Sequence, residues 1–127
     1  MKALTLKQPW ASLVVNKYKE YEFRSWKTNY RGKILIHAGL TMEKDYAKLF
    51  DDYNLDYIHG AIIGEATIVD CILVDENFND LLNNMNKLVY GQSNHSGKYA
   101  WKLINIKKYD KPILIKGKLG LWEYTGE

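Results

Sequence analysis

The period of hydrophobic and polar positions changes several times along the chain. KALTLK, residues 2–7, carries Ala3, Leu4, Thr5 and Leu6 and predicts a short strand. In QPWASLVVNKY, residues 8–18, Trp10, Leu13, Val14 and Lys17 stand at i, i+3, i+4 and i+7, a helical stripe whose last member is polar. Pro9 suits the first turn of that short helix, where a missing N–H costs nothing. KEYEFRSW, residues 19–26, alternates as a strand does. Parity puts Glu20, Glu22, Arg24 and Trp26 on one face and Tyr21, Phe23 and Ser25 on the other. A face with two carboxylates, a guanidinium and an indole is not an ordinary core face.

NYRG then predicts a turn and KILIHA a strand. Thr41 is placed to cap a helix over MEKDYAKLF, with Lys44 and Lys48 on its solvent side. DDYNLDYIHG reads as a loop. AIIGEATIVDCILV is the longest strand, with Gly64 marking a bulge or a close approach of backbones. ENFNDLLNNMNKLV predicts one helix with acidic residues at its start, and YGQSNHSG a polar loop. KYAWKLINIKKY, KPILIK and KLGLWEY predict three closing strands. Helices do not alternate regularly with strands, so an α+β or mainly-β domain curled on itself is expected rather than a doubly wound sheet.

Composition narrows this only a little. The 127 residues suit a single domain over 1–127, long enough to bury a core without a metal or disulfide. A net charge of +3 permits an anionic partner without demanding one. The lone Cys71 lies in an apolar run and is expected as a buried thiol. No signal peptide and no membrane span are legible, so the cytoplasm is the default address and a monomer the simplest assembly. Without a Gly-rich phosphate loop, a Cys/His cluster or HExxH, no metal and no cofactor are expected. His59 and His95 sit in polar loops and are expected to be solvated, whereas His37 ends a strand beside the most unusual stretch.

That stretch is residues 7–39. Of eighteen Lys and Arg residues only Arg24 and Arg31 are arginines, and both lie here with Trp10 and Trp26. A guanidinium offers a flat, permanent charge that matches phosphate or carboxylate and stacks on aromatics. Tryptophans are core residues by default, but Trp26 shares a predicted face with Arg24, and stacking on a base is open to it. Lys19, Glu22 and Arg24 form the tightest constellation. Spacing alone leaves open a solvated ion pair of little energetic consequence or a pocket in which Arg24 binds an anion bidentately, with Lys19 as a charge or a desolvated base.

LTLKQPWASLVV, KEYEFRSWKTNYRGKILIHAG, GAIIGEATIVDC, GKYAWKL and KGKLGLW, in this order, resemble the landmarks of the ASCH domain family. The resemblance spans residues 3 to about 123. It implies a PUA-like β-barrel with helices packed around it and, beside the barrel, a cleft that binds RNA or a nucleotide-like ligand. On this chain the implied positions are Lys19, Glu22 and Arg24, with Gln8, Pro9 and Trp10 from the helix start. Ser25, Trp26, Tyr30, Arg31 and His37 would line or support the site. The sequence departs from the family pattern at Lys17, often glycine, at Phe23, often asparagine, and at Lys27, often proline. Lys17 and Lys27 would add positive charge at a rim that meets a phosphate backbone.

The resemblance implies two functions from different classes. One is a binding module for single-stranded RNA or a modified nucleotide. The other is a small hydrolase, since some family members are amidohydrolases of acylated cytidine and others ribonucleases. Lys19 matches the amidase lysine, but Glu22 stands where the amidase has threonine, and Ser25 and Thr28 lack the family spacing. A hydrolase here would use Glu22 as general base and Lys19 or Arg24 to stabilise negative charge. A protein-binding adaptor in transcription or translation is a third reading, which the ten tyrosines would also serve.

Overall fold

The computed structural model describes residues 1–126; the last residue of the expected 1–127 domain lies outside them. The elements are β1 (Lys2–Gln8), α1 (Trp10–Val15), β2 (Tyr21–Arg24), β3 (Gly32–Met42), α2 (Lys44–Lys48), β4 (Ala61–Leu73), α3 (Glu76–Met85), α4 (Lys87–Tyr90), β5 (Tyr99–Leu114) and β6 (Leu121–Glu123). All six strands join one sheet in the order β2-β5-β4-β3-β1-β6. The architecture is the expected mixture of a dominant sheet with short helices.

The barrel is a loose one, because the backbone ladder does not close. β2 and β6 are the two edges, and β6 pairs only with Lys2–Leu4 of β1. Thr5–Gln8 therefore have no strand partner on that side. The sheet still curls far enough to bring β2 back toward this open stretch, and the Arg24 Nη2 on β2 donates to the Thr5 carbonyl on β1 across the gap. A side chain, not a ladder, bridges the seam.

The main core fills the curl. Ala11, Val14 and Val15 of α1 pack on Leu4, Leu6, Ile34, Ile36, Ile63, Ile68, Trp101 and Leu103 from four strands. A second cluster lies under the helices, where Leu13, Tyr21, Phe50, Leu82, Val89 and Tyr90 meet. Gly64 is both a bulge and a close approach: the register of β4 slips beside it against β3 and β5. A Cβ there would lie 2.5 Å from the Lys107 carbonyl and 2.7 Å from Val15 Cγ1. Cys71 is half-buried against the main core.

Four expected elements change. β2 ends at Arg24, so strand parity does not extend to Trp26. Thr41 belongs to β3, which continues to pair Met42 with Gln8; α2 starts after Glu43, with no side-chain cap. The expected single helix after Val74 is two, because Asn86 is extended (φ −157°) and its side chain caps α4 through the Val89 N–H. KYAWKLINIKKY and KPILIK form one strand, β5. Beyond Lys102 this strand has no partner on its β2 side, an edge at which Pro112 forfeits no ladder bond.

Candidate functional site

The site is assembled where α1 ends. Lys17 takes a left-handed conformation (φ 68°), and the N–H groups of Lys17, Tyr18 and Lys19 fold back onto the carbonyls of Val14 and Leu13. That reversal turns Lys19 inward, to 3% exposure. Left-handed backbone favours glycine, so a lysine here is held against its preference.

Inside, Lys19 Nζ donates to the Tyr21 carbonyl and, at 2.9 Å, to Glu22 Oε1. It also lies 5.9 Å from the centroid of Trp10 and 5.0 Å from that of Phe23, within cation–π range of both. The other carboxylate oxygen, Glu22 Oε2, accepts from Arg24 Nε at 3.2 Å and lies 3.1 Å from Nη2. Two cations thus share one buried carboxylate, and the group carries a net +1. Arg24 Nη1 has no protein partner among the described residues. Burial alone would push the Glu22 carboxyl up, but the Lys19 and Arg24 charges outweigh it and hold the group below its ordinary value. Burial draws the Lys19 ammonium below its ordinary value, opposed by Glu22.

This triad faces a cleft along the open seam. The outer part, about 480 Å³, is lined by Thr5, Leu6 and Lys7 of β1, by Glu22, Phe23 and Arg24 of β2, and by Gly39, Leu40, Lys98 and Leu119 among others. The inner part, about 210 Å³, is lined by Trp10, Lys19, Phe23, Tyr46, Gln92, Ser93, His95 and Lys98 among others. The two parts share Trp10, Glu22, Phe23, Glu43 and Lys98 and are one space. Lys7, Lys19, Arg24 and Lys98 stand against Glu22 and Glu43, so the lining carries two net positive charges. Lys7 is paired with Glu43 at 3.2 Å, whereas Lys98 has no ion-pair partner among the described residues. An aromatic-walled, positively charged slot of this size fits an anionic ligand with a flat apolar part.

The family model for the ASCH domain matches residues 4–113 of this chain. The chain belongs to the ASCH domain family. Human activating signal cointegrator 1 is 35% identical over 83 residues, covering 54% of this chain and 14% of that protein. The mouse protein of the same name is 33% identical over 81 residues, with the same coverages. The chain thus spans 14% of the length of the curated relatives it matches. Among solved structures, the ASCH protein of Zymomonas mobilis superposes with a TM-score of 0.56 at 16% identity, covering 89% of this chain and 72% of that one. Its S128A mutant gives 0.56 over 90% and 73%. At that identity the likeness shows the fold.

Of the residues expected at an ASCH cleft, Trp10, Lys19, Glu22 and Arg24 converge on it. The remainder stand elsewhere. Gln8 is buried beneath it; its Nε2 donates to the Ile58 carbonyl and its Oε1 accepts from Ser12 N–H, anchoring the start of α1. Pro9, after a cis peptide bond, is the buried residue at the α1 N-cap. Ser25 is exposed. Trp26, 41% exposed, lies edge-on to Trp101 at 4.8 Å and does not line the cleft. Tyr30 donates its hydroxyl to the Lys33 carbonyl, and Arg31 Nη1 donates to the carbonyls of Thr28 and Tyr30, holding its own turn. His37 is buried: Trp122 Nε1 donates to Thr5 Oγ1, that hydroxyl to His37 Nδ1, and His37 Nε2–H to the Ile115 carbonyl. Lys17 and Lys27 are exposed and line neither part of the cleft.

His95 corrects an expectation. It is not solvated but 8% exposed, stacked on Phe23 with centroids 3.9 Å apart and planes at 12°. Its Nε2 donates to the Tyr90 carbonyl at 3.0 Å, leaving Nδ1 as a buried acceptor without a partner among the described residues. Burial holds its basicity below the ordinary histidine value, and the nearby Lys19 charge acts in the same direction. His59 is tethered too, to the Gly39 carbonyl at 2.9 Å. Phe23, Lys98 and Leu119 are further lining residues that the sequence did not assign to the site. Among the described residues no three of His, Cys, Asp and Glu form a group able to hold a metal ion, and no helix is long and apolar enough to cross a membrane.

Proposed function

We propose that this ASCH domain is a binding module for RNA or a nucleotide-like ligand, held in the seam cleft with phosphate on the cationic side and a base against the aromatic walls. The observation that carries this reading is the arrangement of Arg24. Its Nε and Nη2 are anchored to Glu22 and Thr5, which orients the fork, while Nη1 is left for a ligand in the cleft. A pre-oriented guanidinium loses little freedom on binding an anion. Lys7 and Lys98 add unspecific attraction, and Trp10 offers an apolar surface. The PUA-like family, often linked to RNA binding, supports the same reading.

The hydrolase reading is weaker on the same geometry. A general base needs a free lone pair and an affinity for protons near neutral pH. Both Glu22 oxygens are occupied by cations, and the carboxyl is held below its ordinary value. Lys19 is hydrogen-bonded as a donor to Tyr21 and Glu22 and is a poor nucleophile in that state.

Titration of the intrinsic tryptophan fluorescence with uridine and cytidine nucleotides, for the wild type and Arg24→Ala, tests the proposal. Saturable, salt-weakened binding that drops at least about tenfold in Arg24→Ala is the expected result. Binding untouched by the substitution would contradict it.

A further inference from the structure

The cleft does not end at Arg24. At Leu40 and Leu119 it passes into a third cavity of about 440 Å³, with which it shares Thr5, Gly39, Leu40 and Leu119. This extension is lined beyond that point by Gly60, Ile115, Gly117 and two lysines, Lys116 and Lys118. The dividing leucines are among the most exposed large apolar residues, Leu119 at 96% and Leu40 at 81%. Isolated exposed leucines need no explanation, but two leucines that both line the junction of two cavities form an apolar step inside a groove.

The floor of the extension is rigid. Ile115 N–H donates to the Gly60 carbonyl, and the Ile115 carbonyl is held by His37. The backbone at Gly117 lies so close over the His37 ring and the Thr5 hydroxyl that any side chain there would collide with both. His37, expected to line or support the ligand site, braces this floor and is itself part of the lining of the extension.

Charge distribution says what fits. The cleft carries two net positive charges, and the extension adds Lys116 and Lys118 with no acidic residue. The whole chain carries only +3. One continuous groove therefore holds more positive charge than the molecule's net, and the rest of the surface is on balance negative. Each of the two larger cavities alone falls in the range of a complete small-molecule site, about 300–1,000 Å³. A mononucleotide filling the cleft would leave the lysine-flanked extension empty.

We propose that the ligand is a single strand several nucleotides long, whose chain continues from the cleft over the Leu40–Leu119 step into a second subsite with its phosphates on Lys116 and Lys118. This rests on the nucleotide-binding reading above and goes beyond it by assigning a second subsite in which the strand continues. The spacing of positive charge along a track with apolar surface is the pattern by which single strands are held without sequence readout.

The test compares uridine monophosphate with an eight-residue oligouridylate, on the wild type and on Lys116→Ala/Lys118→Ala. Both lysines are exposed and make no hydrogen bond or ion pair among the described residues, so the fold is not at stake. The wild type is expected to bind the octamer at least about tenfold more tightly than the monophosphate. The double variant is expected to lose most of that advantage while binding the monophosphate unchanged. Its slope of log K against log salt for the octamer should be shallower by about 1.4, two single-strand phosphate contacts at about 0.7 each. Equal affinity for monomer and octamer would overturn the second subsite and leave the nucleotide cleft standing. An octamer advantage that survives the double variant would also overturn it. Failure of both ligands to bind would remove the nucleotide reading itself. An acidic peptide such as octaglutamate binding as tightly as the RNA, through the same lysines, would replace the polymer by a protein partner.

Discussion

Arg24 Nη2 donates to the Thr5 carbonyl at 2.8 Å across the one gap in the sheet that no strand closes. The same guanidinium holds Glu22, and Glu22 holds the buried Lys19. The seam is therefore both the structural weak point of the barrel and the place where positive charge is presented. On the proposed function, stability and ligand binding are coupled through this one residue.

Arg24→Ala should cost about 1–3 kcal/mol of stability, because it orphans the Thr5 carbonyl and one oxygen of Glu22. Arg24→Lys should recover part of the ligand affinity but not the bridge, since an ammonium cannot span Glu22, Thr5 and a ligand at once. Urea unfolding beside a binding titration separates the two effects.

Glu22→Gln should move stability and affinity in opposite directions. It leaves the Lys19 ammonium buried without its counter-charge, a change of about 3–5 kcal/mol. In the molecules that remain folded, the cleft has one more net positive charge, so an anionic ligand should bind as well or more tightly. A hydrolase with Glu22 as base would instead keep its substrate and lose turnover.

Acidification should destabilise the protein in two stages. Folded His95 binds its proton below the ordinary 6.5, so between that value and its folded one the unfolded chain holds more protons. Stability falls with pH across that window. The groups that face it are Lys19, Lys98 and Glu22. The Glu22 contribution is complete above the ordinary 4.5 and is lost as pH falls through its lower folded value. His95→Asn should flatten the first stage, and Glu22→Gln should remove the second while widening the first, since Glu22 favours the His95 proton, as read from unfolding midpoints across the acid range.

Two backbone positions give cleaner tests of the frame. Lys17→Gly should stabilise by up to about 1 kcal/mol, since the left-handed residue is strained as lysine. Gly64→Ala should cost about 1–3 kcal/mol by forcing a methyl against Lys107 and Val15. Thermal denaturation of the two variants decides both.

The centre of the candidate site was legible because it is local. Lys19, Glu22 and Arg24 lie within six residues, strand parity puts Glu22 and Arg24 together, and the order of motifs pointed to the ASCH family. Trp26 was misplaced because parity was carried two residues past the end of β2. His95 and Lys98 lie in or beside a polar loop with no periodicity, and only the packing of that loop on Phe23 reveals them. Leu119 and the lysines beside it reach the groove because the sheet curls, a relation between residues about a hundred positions apart that no local pattern contains. The loss of barrel closure escaped for the same reason: β6 is three residues long, and where it stops is a tertiary fact.

The most direct measurement is a ¹⁵N NMR titration of the protein with a short oligouridylate, following backbone amides, the Arg24 Nε and the tryptophan indoles. Binding in the seam predicts shifts at Thr5–Lys7, Glu22–Arg24, Gly39–Thr41 and Ser93–Lys98, with the Arg24 Nε and the Trp10 indole moving and the Trp26 indole still. Shifts gathered on another face, with Arg24 and Trp10 unmoved at saturation, would contradict a ligand site in the open seam.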